Sequence, residues 1–181
     1  MKVRPTPLAG VTLIDTDTFR DARGEFVRVF CAGQMAALHP DLRFVQVNLS
    51  RTRAAGTVRG LHLQRSPVQE IKLIRCLRGR VFDVIVDLRA DSPTYRRWFG
   101  VVLDAAADTQ VLVPYGCAHG FQTLTDHVEL LYQHSAPYTP ALETGVRFDD
   151  PALAIEWPLA VVNVSERDRS FELLSGLIEA A

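Results

Sequence analysis

The run Arg80-Val81-Phe82-Asp83-Val84-Ile85-Val86-Asp87-Leu88 constrains the fold more than any other stretch of the chain. β-Branched and apolar side chains crowd it, and they occupy both alternating faces instead of one helical stripe. Such a run reads as a strand buried on much of both faces, so material must pack against each side. Leu77-Arg78-Gly79-Arg80 immediately before it reads as a turn, with residues 70–76 as the hairpin partner. Further short apolar runs lie at 98–103, 110–114, 120–124 and 128–134, and upstream at 10–14, 25–30 and 44–50. Asp, Gly and Pro residues separate them. Many short strands at this spacing predict an all-β sandwich or barrel. Helical signal is confined to residues 32–38, ahead of Pro40, and 170–180, with Ser170 as N-cap.

A length of 181 residues suits one domain, and no repeat, low-complexity tract or linker divides it. The reading is therefore a single domain over 1–181, with an N-terminal arm at 1–50 and a short C-terminal appendage at 165–181. Hydrophobic residues at 48% and charged residues at 23% exclude a disordered chain or a coiled coil. Twenty Lys and Arg against 21 Asp and Glu, with no block of like charge, argue against a nucleic-acid binder. No apolar run approaches the roughly 18–20 residues of a membrane helix. Residues 1–7 carry no apolar signal-peptide core, so a soluble, cytoplasmic protein is expected. Cys31, Cys76 and Cys117 form no CxxC pair and read as buried reduced thiols.

Chemistry is sought first among the histidines. His62, in Arg59-Gly60-Leu61-His62-Leu63, and His119, in Cys117-Ala118-His119-Gly120-Phe121, each lie among glycine and apolar residues. Each is either a satisfied core histidine or a pocket group, because a buried imidazole needs a partner. A barrel metal site that uses His-x-His is not supported, since Gln64 stands two residues after His62. Lys72 lies among strand formers and shares a face with Glu70 and Ile74 on strand alternation. If that face points inward, the ammonium is a costly charge inside a barrel, which calls for a purpose. Tyr132 sits in the strand-like run 128–134, either packing the wall or offering its hydroxyl.

The order and spacing of several short pieces resemble the dTDP-4-dehydrorhamnose 3,5-epimerases, the RmlC group of cupin-like proteins. The pieces are Asp21-Ala22-Arg23-Gly24-Glu25-Phe26, Gln46-Val47-Asn48, Arg59-Gly60-Leu61-His62, Lys72-Leu73, the run from Gly79 to Arg89, and Ser92-Pro93-Thr94. Pro114, Ala118-His119-Gly120-Phe121, Leu131-Tyr132, Glu143, Arg147-Phe148-Asp149-Asp150-Pro151 and Ser165-Glu166-Arg167-Asp168 complete the pattern. The resemblance implies a cupin-like double-stranded β-helix, a jelly roll with a few short helices. It implies a homodimer whose N-terminal strands cross to the partner, no metal and no cofactor. It also implies a nucleotide-linked 4-keto-6-deoxyhexose as substrate, inverted at C3, C5 or both by proton abstraction and return. A single-centre epimerase on another nucleotide sugar and a non-catalytic sugar-nucleotide-binding cupin are the alternatives.

By position, the resemblance makes His62 the base, Asp168 its orienting carboxylate, Lys72 the partner of the keto oxygen and Tyr132 the acid on the opposite face. It places Arg23, Phe26, Gln46, Asn48, Arg59, His119, Tyr138 and Glu143 among the substrate-binding residues, with Asp83 behind them. Leu63, Glu70-Ile71, Tyr115, Cys117 and Phe148 depart from the commonest pattern without removing any of these groups.

Overall fold

The computed structural model describes residues 1–40 and 42–179. In chain order the elements are β1 (Lys2–Pro5), β2 (Thr12–Asp15), β3 (Thr18–Asp21), β4 (Gly24–Val27), α1 (Ala32–Met35), β5 (Gln46–Thr52), β6 (Val58–Gln64) and β7 (Lys72–Arg78). There follow β8 (Arg80–Asp87), β9 (Trp98–Asp104), β10 (Thr109–Val113), β11 (Cys117–Thr123), β12 (Val128–His134), β13 (Glu143–Gly145), α2 (Glu166–Arg169) and α3 (Leu174–Glu179). Among the described residues, one antiparallel sheet runs β1-β2-β10-β7-β12-β5 and a second runs β13-β6-β11-β8-β9. These two layers form a cupin-like jelly roll. The β3–β4 hairpin belongs to neither sheet.

The doubly apolar character of β8 has a direct cause. Val81 and Ile85 face the core between the sheets, with Leu13, Ile74, Val111 and Leu130 from the opposite layer. Val84 and Val86 face the other way, under Val146, Leu153 and Leu174 from the C-terminal third of the chain. Burying a side chain of this size contributes about 1.5–3 kcal/mol, so both faces of β8 are strong organisers.

Residues 70–76 are not the hairpin partner of β8. β7 pairs with β10 and β12 in one sheet, while β8 pairs with β11 and β9 in the other. The turn at residue 79 is real, but it carries the chain from one layer to the next. Gly79 has φ +74°, and a Cβ there would fall 2.4 Å from Thr125 Oγ1. Alternation cannot distinguish two strands that pair from two strands that face each other, because both bury the same inward pattern. The two helices are also shorter than expected. α1 ends at Met35, with Leu38 and His39 N–H groups turning back onto the Met35 carbonyl. The cap near the C-terminus is Ser165, at the start of α2, while Ser170 closes that helix. α3 starts only at Leu174, whose N–H donates to Asp150 Oδ2 from outside the segment. Residue 180, inside the expected helix, lies outside the described residues.

Of the N-terminal 50 residues, β1 and β2 are built into a sheet and Leu8, Val11 and Leu13 enter the core. No helix among the described residues is long and apolar enough to cross a membrane.

Asp87, fully buried at the end of β8, ties this N-terminal segment down. Its carboxylate accepts hydrogen bonds from Arg89 Nε at 2.9 Å, Ser92 Oγ at 2.5 Å and Thr94 Oγ1 at 2.6 Å. Arg89 Nη2 donates to the Ala9 carbonyl at 2.6 Å, and Thr94 Oγ1 accepts from Ala9 N–H at 3.1 Å. Burial pushes the Asp87 carboxyl up, but the Arg89, Ser92 and Thr94 hydrogen bonds outweigh it and hold the group at about 2 against an ordinary 3.8. The folded state thus binds this proton more weakly than the unfolded chain does. The resulting stabilisation, about 2 kcal/mol, is complete above pH ~4 and is lost as pH falls toward 2. Asp87→Asn should lower stability at neutral pH and flatten the acid limb of a stability–pH profile. An acid-unfolding midpoint identical to wild type would contradict this account.

Candidate active site

A cavity of about 590 Å³ opens between the sheets. β6 and β11 line one wall and β5, β7 and β12 the other, with α2 and the segment containing Tyr138 and Glu143 at the rim.

A bulge in β6 organises the first wall. His62 pairs with His119 and Arg59 with Phe121, so two residues of β6 oppose the single Gly120. Gly60 takes φ +116° there, and a Cβ on it would lie 2.6 Å from Gly120 Cα. Only glycine lets the strands approach this closely. The bulge also turns the Gly60 N–H out of the ladder, and it donates to Asp168 Oδ2 at 2.9 Å.

Asp168 arrives from α2, whose first turn is capped by Ser165 Oγ accepting from Asp168 N–H at 3.1 Å. Its other oxygen lies 2.8 Å from His62 Nε2. Burial pushes the Asp168 carboxyl up, but the His62 hydrogen bond and the Gly60 N–H together hold it below the ordinary carboxylate range. Ionised Asp168 therefore accepts the Nε2 proton of His62, and the other ring nitrogen is left to accept. Arg167 Nη2 also lies 3.3 Å from Nε2. A guanidinium has no acceptor, so in this tautomer Arg167 is a neighbouring positive charge and not a hydrogen-bond partner. Its Nη1 donates instead to Glu143 Oε2 at 2.8 Å. Phe171 sets its ring edge-on to His62 at 5.5 Å.

Lys72, at the start of β7, is 6% exposed. The inward alternative for this lysine is the one realised. Its Nζ donates to the His62 carbonyl at 3.0 Å and lies 3.2 Å from Glu70 Oε1. Tyr132, on β12, stands between two imidazoles: His119 edge-on at 6.1 Å and His134 stacked at 6.0 Å. Burial raises its hydroxyl well above the ordinary phenol range, so the group keeps its proton. His119 Nε2 lies 2.8 Å from Oδ1 of the fully buried Asp83.

Gln46, Asn48, Arg59, Tyr138 and Glu143 also line the cavity. Tyr138 Oη donates to Glu143 Oε2 at 2.6 Å, and Gln46 Oε1 accepts the Tyr138 N–H at 3.0 Å. Arg23 and Phe26 are not brought to this cavity. They sit on the β3–β4 hairpin around a separate surface depression, with Phe19 and Phe26 61% and 66% exposed. Arg167, Phe171, Glu70 and His134 were not expected at the site. Alternation had put Glu70 on the face of Lys72, and Arg167 is the neighbour of Asp168. Phe171 offered no signal. Among the described residues no three His, Cys, Asp or Glu side chains converge as a metal site.

The family model described as dTDP-4-dehydrorhamnose 3,5-epimerase matches residues 5–176. The Sinorhizobium fredii dTDP-4-dehydrorhamnose 3,5-epimerase is 43% identical over 90% of this chain and 84% of its own. A Streptomyces niveus dTDP-4-dehydrorhamnose 3-epimerase is 40% identical, over 97% of this chain and 84% of its own. The crystal structure of the Bacillus anthracis dTDP-4-dehydrorhamnose 3,5-epimerase, with TDP and pyrophosphate bound, superposes with a TM-score of 0.92 at 40% identity, covering 96% of this chain and 99% of that one. Matched over residues 5–176 by the family model and over 90% or more of its length by these relatives, the chain belongs to the dTDP-4-dehydrorhamnose 3,5-epimerase family.

Proposed function

We propose that the protein epimerises a dTDP-linked 4-keto-6-deoxyhexose at C3 and C5. The observation that carries this reading is the convergence of the His62–Asp168 pair, Lys72 and Tyr132 on one cavity. His62 takes the proton from the carbon beside the ketone on its free ring nitrogen. The C–H electron pair moves into the enolate, whose negative charge gathers on the keto oxygen. A histidine is suited to this step because its ordinary pKa lies near neutrality. Asp168 holds the tautomer and stabilises the imidazolium. The Lys72 ammonium stabilises the enolate as it forms, often the largest contribution in such reactions. Tyr132, kept neutral by burial, donates its proton from the other face and so inverts the centre. Solvent then takes the proton from the His62 imidazolium and returns one to the Tyr132 phenolate, so the cycle is redox-neutral and consumes no cofactor.

Arg59 supplies a planar donor for the diphosphate, and Gln46, Asn48, His119, Tyr138 and Glu143 supply the remaining polar contacts, with Asp83 holding His119. The bound TDP of the Bacillus anthracis relative supports dTDP as the nucleotide. A nucleotide-sugar substrate also supports a cytoplasmic location. Inversion at C3 alone is the second reading, favoured by the Streptomyces niveus relative. Incubation with dTDP-4-keto-6-deoxyglucose in deuterated water, followed by NMR, tests both. Deuterium at C3 and C5 with inversion is expected, exchange at C3 alone selects the second reading, and no exchange at either carbon overturns both.

We also infer a homodimer in which the β3–β4 hairpin carries Arg23 and Phe26 to the partner's cavity. Its support is the exposed pair Phe19 and Phe26 on a hairpin outside both sheets, and the edge strand β5, flanked by exposed Val45 and bearing exposed Val47 and Leu49. An unpaired edge with apolar side chains is a template for association. Light scattering at micromolar concentration should give twice the chain mass, and a fully active monomer would end this proposal.

A further inference from the structure

The chemistry proposed above uses Lys72 but leaves two of its neighbours without a role. Glu70 and His134 line the same cavity, and both are largely buried, at 9% and 12% side-chain exposure. A carboxylate beside a keto oxygen that is to become negative is an electrostatic liability. Its presence in such a place needs a compensating purpose.

The contacts of Glu70 supply one. Oε1 lies 3.2 Å from Lys72 Nζ, and Oε2 accepts from His134 Nδ1 at 2.6 Å. Burial pushes the Glu70 carboxyl up, but the His134 hydrogen bond and the Lys72 charge hold it below the ordinary carboxylate range, so it is ionised. Lys72 Nζ donates in addition to the His62 carbonyl. The hydrogen bond to the His62 carbonyl and the charge of Glu70 thus hold the ammonium from two fixed points on the wall, and its remaining donor capacity is left for the cavity. A lysine side chain is otherwise free to sample many rotamers. His134 is itself fixed, stacked on Tyr132 at 6.0 Å and with Nε2 3.3 Å from Asn48 Nδ2. Glu70 therefore joins the lysine to the wall that carries the tyrosine.

We propose that Glu70 is a positioning residue acting through Lys72, and that His134 locks Glu70 in the orientation this requires. The assignment rests on the epimerase reading. It concerns the residue pair 70 and 134, of which Glu70 is one of the departures from the commonest family pattern.

Turnover of dTDP-4-keto-6-deoxyglucose, read by NMR as deuterium exchange, tests the assignment, with dTDP itself as the binding probe. Glu70→Gln should lower kcat about 10-fold or more, within the ~10²-fold that misplacement by an ångström can cost. Its KM and its affinity for dTDP should stay within about twofold, because Lys72 matters most when the enolate forms. The decisive readout is a double-variant cycle. In a Lys72→Met background Glu70→Gln should have no further effect, since the group it acts through is gone. A loss that is undiminished in that background, or a native kcat in Glu70→Gln alone, overturns the proposal. His134→Phe keeps a flat ring against Tyr132 but removes the donor, and should lose kcat alongside Glu70→Gln. His134→Asn keeps a donor near the Nδ1 position and should recover most of that loss. If Glu70→Gln does not fold, this pair decides alone, and equal kcat in the two His134 variants overturns the proposal. Wild-type exchange in the same assay tests the epimerase reading separately.

Discussion

His62→Ala should abolish deuterium exchange at every carbon of a dTDP-4-keto-6-deoxyhexose. Loss of a general base typically costs about 10²–10⁴-fold, and the other three members of the proposed catalytic set are not suited to take over. Asp168 is 3% exposed, and its Oδ2 is already occupied by the Gly60 N–H. Tyr132 holds its proton too tightly to act as a base near neutrality. Lys72 is committed to Glu70 and to the His62 carbonyl, a backbone contact that alanine preserves. Affinity for dTDP should change little, because the His62 imidazole is bonded to Asp168 and not to a side chain proposed to bind the nucleotide. A folded His62→Ala protein with near-native exchange would remove the base assignment and, with it, the proton-transfer order proposed here.

Tyr132→Phe separates removal of the proton from its return on the other face. The phenyl ring keeps the contacts with His119 and His134 and deletes only the hydroxyl. Proton removal needs His62 and Lys72 alone. The variant should therefore still exchange deuterium into the substrate, returned by His62 to the face it came from, while inverted product falls by about 10²-fold or more. Wild-type exchange and inversion should track each other, whereas in Tyr132→Phe they should part. Unimpaired inversion at both carbons would mean that the hydroxyl only packs the wall and that another donor acts from that face.

Much of the architecture follows from local pattern. β8 was legible because its valines and isoleucine leave no polar face, and the structure covers it on both sides. β12 falls at the bounds its apolar run marks, 128–134. The pairing of residues 70–76 with β8 was misread because layer assignment is not written in alternation. Two antiparallel neighbours and two strands facing across a core bury the same positions. Within the site, strand alternation sufficed to put Lys72 on the face of Glu70. It could not connect His62 with Asp168, which are 106 residues apart. That contact depends on a bulge at Gly60 and on a four-residue helix, α2, both set by tertiary packing. The pairing was accessible only through family resemblance. Glu70 with His134, 64 residues apart, and Phe171 against His62 escaped for the same reason.

The short C-terminal helix α2 gives this enzyme two separable stabilities. His62 sits in the interior of a sheet, whereas Asp168 and Phe171 are delivered by a segment held through the Ser165 cap, the Gly60 N–H, the Asp150 contact to Leu174 and the burial of Val164 and Leu174. Segments with few buried anchors open locally at a free-energy cost well below that of global unfolding. When this one lifts away, both sheets persist while the imidazole loses its carboxylate. If the His62–Asp168 pair acts as proposed, competence for turnover should follow this local docking equilibrium rather than the melting of the barrel, and mild heating should cost activity before the sheets are lost.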